Sequence, residues 1–212
     1  MKLILEHKLS IFLFVFHLCK GNQLNQELTN FDGQLDILQV LNTSEKLWLY
    51  KESYRNWRLS HHQQNGISLT YSCLNFHKIY LSASQYNFTE QFSYGEEWQS
   101  VNCTAKIVLN DTLPHHPPKS MEIFDSRGQE RELMTLQYTD SGSYQCSVFY
   151  VSSLSKAVSN DALTCEMYIR DSAVDKYPSA GCESFFTNHC AGTEFKIYSE
   201  KCKNRTLETN SL

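Results

Sequence analysis

Residues 165–202 read CEMYIRDSAVDKYPSAGCESFFTNHCAGTEFKIYSEKC and hold four of the eight cysteines in this 212-residue chain. The centre, SAGCESFFTNHCAG, carries the marks of a short helix: Ser179 can accept from a first-turn amide, and Gly192 can take the left-handed stop conformation. Cys182, Phe185, Phe186, His189 and Cys190 recur at helical spacing, so two thiols share a stripe with apolar rings, and such a stripe needs a wall to dock on. CEMYIRDS before it reads as a strand and EFKIYSEKC after it as an extended tail. The rest of the chain should supply the wall.

Upstream, LWLYKESY, SLTYSCLNFHKIYL, YNFTEQFSYG, WQSVNCTAKIVLN, KSMEIFDS, RELMTLQYTD, SYQCSVFYVSS and ALTCEMYIRDS are short and rich in aromatic and β-branched residues, with Gly, Asn, Asp, Ser or Pro between them. This predicts eight strands followed by one helix. FDGQLDILQVLN, earlier, predicts a further short helix. The length suits one domain, residues 22–212, after a secretory signal at 1–21 in which Lys2 and Lys8 precede the apolar run Leu9–Leu18. That run is too short to span a bilayer. Losing the signal takes three lysines from 19 basic residues and one glutamate from 23 acidic ones, leaving 16 against 22, so neither nucleic acid nor a membrane is an expected partner.

Export also decides how the cysteines are read, because thiols in an oxidising compartment usually pair. Cys19 leaves with the signal and seven remain, which predicts three bridges and one free thiol in a secreted, extracellular protein. Sequons at Asn42, Asn87, Asn102, Asn110 and Asn204 predict glycosylation, and a glycan must point to water. Setting Asn87 outward turns Tyr86, Phe88, Glu90, Phe92 and Tyr94 inward. Setting Asn102 and Asn110 outward turns in Val101, Cys103, Ala105, Ile107 and Leu109, making Cys103 the natural candidate for the free thiol. If Cys146 and Cys165 bridge to helix cysteines, Ser147, Phe149, Glu166 and Tyr168 point inward. In LWLYKESY the even positions Trp48, Tyr50, Glu52 and Tyr54 share a face whose aromatic and acidic mixture suits a pocket.

TDSGSYQC matches the tyrosine corner of an immunoglobulin domain and would make the chain an adhesion module with Cys146 paired to Cys73. No Trp follows Cys73 at the expected spacing, and the C-terminal cysteines have no place in that fold. The order of LWLYKESYRN, YSCLNF, YTD with YQCSVFYV, CEMYIRD, GCESFF with HC, and YSEKC, spread over residues 46–203, resembles instead the tick salivary lipocalins of the histamine-binding family. The resemblance implies an all-β fold with a C-terminal helix: an eight-stranded antiparallel lipocalin barrel stapled by Cys73–Cys202, Cys146–Cys182 and Cys165–Cys190, with Cys103 free. It further implies a secreted monomer that sequesters small host mediators in its cavity and so suppresses inflammation or haemostasis.

A biogenic amine such as histamine or serotonin calls for a carboxylate among aromatic faces, since ring quadrupoles and ion pairing must replace its hydration. The candidate ligand-binding residues are Trp48, Tyr50, Glu52, Tyr54, Phe88, Glu90, Phe92, Tyr138, Phe149, Glu166 and Tyr168, with Glu132 beside them. Tyr54 and Glu166 match the family's amine pocket, whereas Trp57 and Val101 stand where acids are expected and Ser147 where one can occur. Those departures leave room for an eicosanoid, a leukotriene or thromboxane, as ligand, or for a host plasma protein such as a complement component on the exterior. His61-His62 and His115-His116 lack a third ligand at useful spacing, so no metal is expected. No catalytic motif or cofactor loop occurs, and an enzyme is not expected.

Overall fold

The computed structural model of the chain describes residues 35–54, 57–59, 68–95, 97–109, 115–153, 164–176 and 178–208; the expected signal and His61-His62 lie outside them. Ten strands follow in order: β1 (Leu47–Glu52), β2 (Trp57–Leu59), β3 (Ser68–Leu81), β4 (Gln85–Tyr94), β5 (Glu97–Val108), β6 (Ser120–Phe124), β7 (Glu130–Thr139), β8 (Cys146–Ser153), β9 (Cys165–Arg170) and β10 (Phe195–Lys196). β1 pairs with β9 on one side and β3 on the other, so β1 and β3–β9 close into an eight-stranded antiparallel barrel. Closure leaves no free edge on the ring. β2 pairs along β3, and β10 along β1.

Among the described residues, three helices accompany the barrel. α1 (Ile37–Leu41) is capped by Asp36, whose carboxylate accepts the Leu38 amide at 2.9 Å. α2 (Ala180–His189) starts at Ser179, whose hydroxyl accepts the Cys182 amide at 3.1 Å. α3 (Lys201–Glu208) ends the described chain, so the expected extended tail is instead a short strand followed by a helix. Gly192, just past α2, has φ +104°, and a Cβ there would lie 2.4 Å from the Ser53 carbonyl oxygen; only glycine lets the chain turn this close to β1.

The three disulfides are those the family resemblance implies, and Cys103 is free and buried. Cys73 joins Cys202 rather than Cys146, which rules out the immunoglobulin arrangement. That bridge closes a loop of 129 residues, a constraint on the unfolded chain of about 4–5 kcal/mol in the loop-entropy picture.

The barrel wall separates two cores. Inside lie Leu47, Leu49, Phe76, Tyr86, Phe88, Cys103, Ala105, Ile107, Met121, Ile123, Met134, Leu136, Phe149 and Tyr168. Outside, between the β1–β9–β8 wall and the C-terminal segment, lie Trp48, Tyr50, Val148, Met167, Ile169, Phe186, Tyr198 and all six bridged cysteines except Cys190, which packs at the margin. Within α2, Cys182 and Phe186 are buried as the helical stripe predicts, but His189 is exposed and stacks on Phe185 at 4.4 Å.

The two ends of the barrel differ. α1 feeds Ile37, Val40 and Leu41 into the inner core, and the Ile37 amide donates to the Pro118 carbonyl at 2.9 Å, so one end is plugged by apolar residues. Strand register places Glu52 opposite Glu166, Glu166 opposite Phe149, and Glu132 opposite Ser153, all toward the other end. The β4–β5 and β6–β7 hairpins turn at that end too.

Candidate functional site

Among the register irregularities of the described strands, three β-bulges decide where Tyr50, Tyr138 and Arg131 point. In β1, Leu49 opposes Tyr168 but Lys51 opposes Met167, so Tyr50 is an extra residue in its strand. Its carbonyl, released from the ladder, accepts the amides of Ile197 at 3.0 Å and Tyr198 at 3.2 Å, which docks the C-terminal segment onto the wall. The bulge changes the phase of the strand. Leu47 and Leu49 face in before it and Glu52 after it, while Trp48, Tyr50 and Lys51 face out. Trp48 and Tyr50 therefore do not line the interior as the even-position pattern predicted; both pack on Tyr198 in the outer core.

A second bulge at Gln137 sets Leu136 opposite Phe149 and Tyr138 opposite Val148. Tyr138 is thereby turned outward, against Phe185 of α2 at 5.5 Å, and it too leaves the predicted lining. The third bulge lies earlier in β7, where Ile123 opposes Glu132 and Phe124 opposes Glu130. The skipped residue, Arg131, is aimed inward beside Glu132. Alternation alone would send one of these neighbours to each face.

What converges at the unplugged end is a set of acids and hydroxyls. The Tyr54 hydroxyl donates a short hydrogen bond to Glu166 Oε1, and the Tyr168 hydroxyl donates to Oε2 at 2.8 Å. Burial pushes the Glu166 carboxyl above the usual range, opposed by these two donors, with Glu90 raising it further and Arg131 lowering it. Glu132 is pushed up to about 8, first by desolvation and then by the charge of Glu166, against the pull of Arg131. Burial followed by repulsion from Glu166 carries both tyrosines well above the ordinary phenol value; Glu52 and Glu132 add to this at Tyr54. Desolvation and mutual repulsion thus both favour the neutral form of Glu132 and Glu166.

Glu90 is treated differently. Arg131 donates to its two oxygens at 2.6 and 3.4 Å, and the Cys103 thiol lies 3.5 Å from the guanidinium and 4.0 Å from Glu90. Burial and the Glu90 charge push the Cys103 thiol up to about 11, so it remains neutral. Below the acids runs a ladder of rings: Phe149 edge-on to Tyr168 at 5.8 Å, Tyr168 to Phe76 at 5.0 Å, Phe76 to Phe88 at 4.5 Å, and Phe88 to Tyr86 at 4.8 Å.

Of the predicted residues, Glu52, Tyr54, Phe88, Glu90, Phe149, Glu166 and Tyr168 share this interior, with Glu132 among them. Phe92 stands nearer the rim, half-buried and edge-on to Tyr71 at 4.9 Å. Val101, Cys103, Ala105 and Ile107 line the inside as predicted, but Leu109 follows the last residue of β5 and is 56% exposed. Ser147 faces in toward the plugged end, where it meets Thr139 at 2.8 Å. Arg131 and Phe76 were missed. The first is hidden by a bulge, and the second, as a core ring, carries no signal of its own. Asn42, Asn102 and Asn204 are exposed and Asn87 is half-buried; Asn110 lies outside the described residues, as do the side chains of β2, Trp57 included. His115 and His116 are exposed, and among the described residues no cluster of three metal-ligating side chains occurs.

Among solved structures, the chain is similar to AM182 in its serotonin complex, with 14% identity and a TM-score of 0.53 over 81% of this chain and 95% of that one. It is also similar to japanin from Rhipicephalus appendiculatus bound to cholesterol, with 14% identity and a TM-score of 0.46 over 76% of this chain and 97% of that one. No curated protein matches the sequence. The family model described as tick histamine binding protein matches residues 26–204, nearly all of the chain whose fold and interior are set out above. The chain belongs to the tick histamine-binding protein family.

Proposed function

We propose that this protein captures a small monoamine, such as histamine or serotonin, at the unplugged end of its barrel, its ammonium held by Glu132 and Glu166 and its flat body laid against the rings of Tyr168 and Phe149. One observation carries the reading: among the described residues, Glu132 and Glu166 make no ion pair, although they are the acids most strongly pushed toward neutrality. An arriving ammonium would restore their charge, and the Tyr54 and Tyr168 hydroxyls already fix the orientation of the Glu166 carboxyl. Family membership and a lipocalin-like barrel support binding of a small ligand as such; the choice of an amine rests on the acids. An eicosanoid carboxylate would need a cation, and among the described residues the inward guanidinium, Arg131, is already held by Glu90.

As a binder, the protein acts stoichiometrically, so affinity and abundance set its effect. Export as a glycosylated monomer completes the proposal; the exposed Asn42, Asn102 and Asn204 support it. Calorimetry of the secreted protein with histamine, serotonin and leukotriene B4 tests the reading. Saturable binding of an amine, weakened in Glu166→Gln, is the expected result. Binding of the leukotriene alone would overturn it, and so would binding of a plasma protein with no small molecule bound.

A further inference from the structure

Among the described residues the interior carries four acidic side chains, Glu52, Glu90, Glu132 and Glu166, and they do not stand alike. Glu90 has a guanidinium locked onto it; its side chain is 6% exposed against 33% for Arg131. Arg131 owes its inward aim to the β6–β7 bulge, which adds it as an unopposed residue between Glu130 and Glu132. Its planar fork meets both oxygens of Glu90, a geometry that an ammonium cannot reproduce. The adjacent Cys103 thiol, being neutral, leaves that pairing undisturbed.

We propose that Arg131 sets how many positive charges the interior accepts: bulged from β7 onto Glu90, it fills one carboxylate with a cation of the protein's own and leaves Glu132 and Glu166 to a ligand bearing a single ammonium. This rests on the amine reading above and adds a selectivity rule to it. A diamine with its first ammonium on Glu132 and Glu166 would push its second toward Arg131, a like charge. Reaching Glu90 would mean breaking both guanidinium hydrogen bonds to a carboxylate whose side chain is only 6% exposed, and the ammonium taking their place could not meet both oxygens in the same way. With that charge absent, Glu90 would become an open carboxylate, and the same interior would favour two cations over one.

The test titrates serotonin and cadaverine by calorimetry into wild type, Arg131→Gln and Arg131→Lys. Wild type should prefer serotonin. Arg131→Gln should shift the affinity ratio toward cadaverine by about tenfold or more, and Arg131→Lys, which keeps the charge, should leave it near the wild-type value. A ratio in Arg131→Gln within about twofold of wild type would overturn the Arg131 proposal and leave amine capture intact; if wild type binds neither of these amines nor histamine, both fall. Should Arg131→Gln not fold, the guanidinium nitrogen-15 signal of Arg131 in wild type decides. Retained, slowly exchanging Nη–H signals at saturating serotonin support a guanidinium that stays on Glu90, and their loss overturns the proposal.

Discussion

Charge is buried on both sides of the barrel wall, outward at Lys51 of β1 and inward at Glu132 of β7 and Glu166 of β9, and the two sides complete it differently. Outward, Lys51 has Glu183 at 2.7 Å, Glu194 at 3.1 Å and the ring of Phe186 4.5 Å from its ammonium, so a cation with 2% of its side chain exposed has every partner it needs. Inward, Glu132 and Glu166 have tyrosine hydroxyls, nearby rings and each other's repulsion, but no ion pair among the described residues. The outer site shows what a buried ammonium requires: two carboxylates and an aromatic face. The inner site offers the same set without the ammonium. The outer charge belongs to the fold, and two inner carboxyls without an ion pair among the described residues are the reason for proposing this end of the barrel as a place for a ligand.

The comparison can be broken first by stability. Replacing Cys73 and Cys202 together with serine should cost about 4–5 kcal/mol in denaturant unfolding, since the bridge ties the outer segment to β3 across 129 residues, and should leave the affinity of the folded fraction for an amine unchanged. Next, Lys51→Ala should cost about 2–3 kcal/mol, while Lys51→Met should cost about 1 kcal/mol or less, because Glu183 and Glu194 are half-exposed and can recover water once the lysine is gone. Equal losses in the two variants would show that the charge, rather than the buried stem, holds the seam. The inner face should respond in the opposite sense. Glu166→Gln should not lower the melting temperature of the empty protein, and should weaken serotonin binding by about tenfold or more, the loss of one charge-assisted contact. A drop in melting temperature comparable to that of Lys51→Ala would mean Glu166 is part of the scaffold.

The succession of eight strands, the capped helix and the inward phase of β4 and β5 can be read from spacing alone, because period-two alternation and sequons constrain the same faces. β8 and β9 can be phased too, on the condition that Cys146 and Cys165 meet the helix. Failures occur where one inserted residue changes the phase. Trp48 and Tyr50 were assigned inward with Glu52 and Tyr54, yet the bulge at Tyr50 separates the two pairs, and the demand for that bulge comes from Ile197 and Tyr198, far away in sequence. Tyr138 fails for the same reason at Gln137, and Arg131 was invisible because an outward strand position gives no hint of an inward guanidinium. A bulge is a tertiary event with a local address, and a single strand's pattern cannot announce it. The four glutamates of the acidic site were legible because they sit on unbulged stretches or beyond a bulge that happens to restore their phase.

The smallest effect is in pH dependence, and it tests most directly whether the inner acids are short of a cation. Glu132 has a folded-state value raised from 4.5 to about 8, and Glu166 is raised as well. A carboxyl whose folded value lies above its unfolded one binds more protons in the folded state between the two, so its contribution to stability is present at low pH and is lost as pH rises through that window. The empty protein should therefore lose stability gradually between about pH 5 and 8, and Glu132→Gln should flatten that slope. Ligand binding must run the other way, because an ammonium favours the ionised pair: affinity should rise across the same interval, with up to about one proton released per amine bound, measured by calorimetry in buffers of different ionisation enthalpy. Glu132→Gln should reduce the release. If instead stability rises over that range and binding releases no proton, the inner carboxyls are already compensated, and the contrast with Lys51 on the outer face collapses.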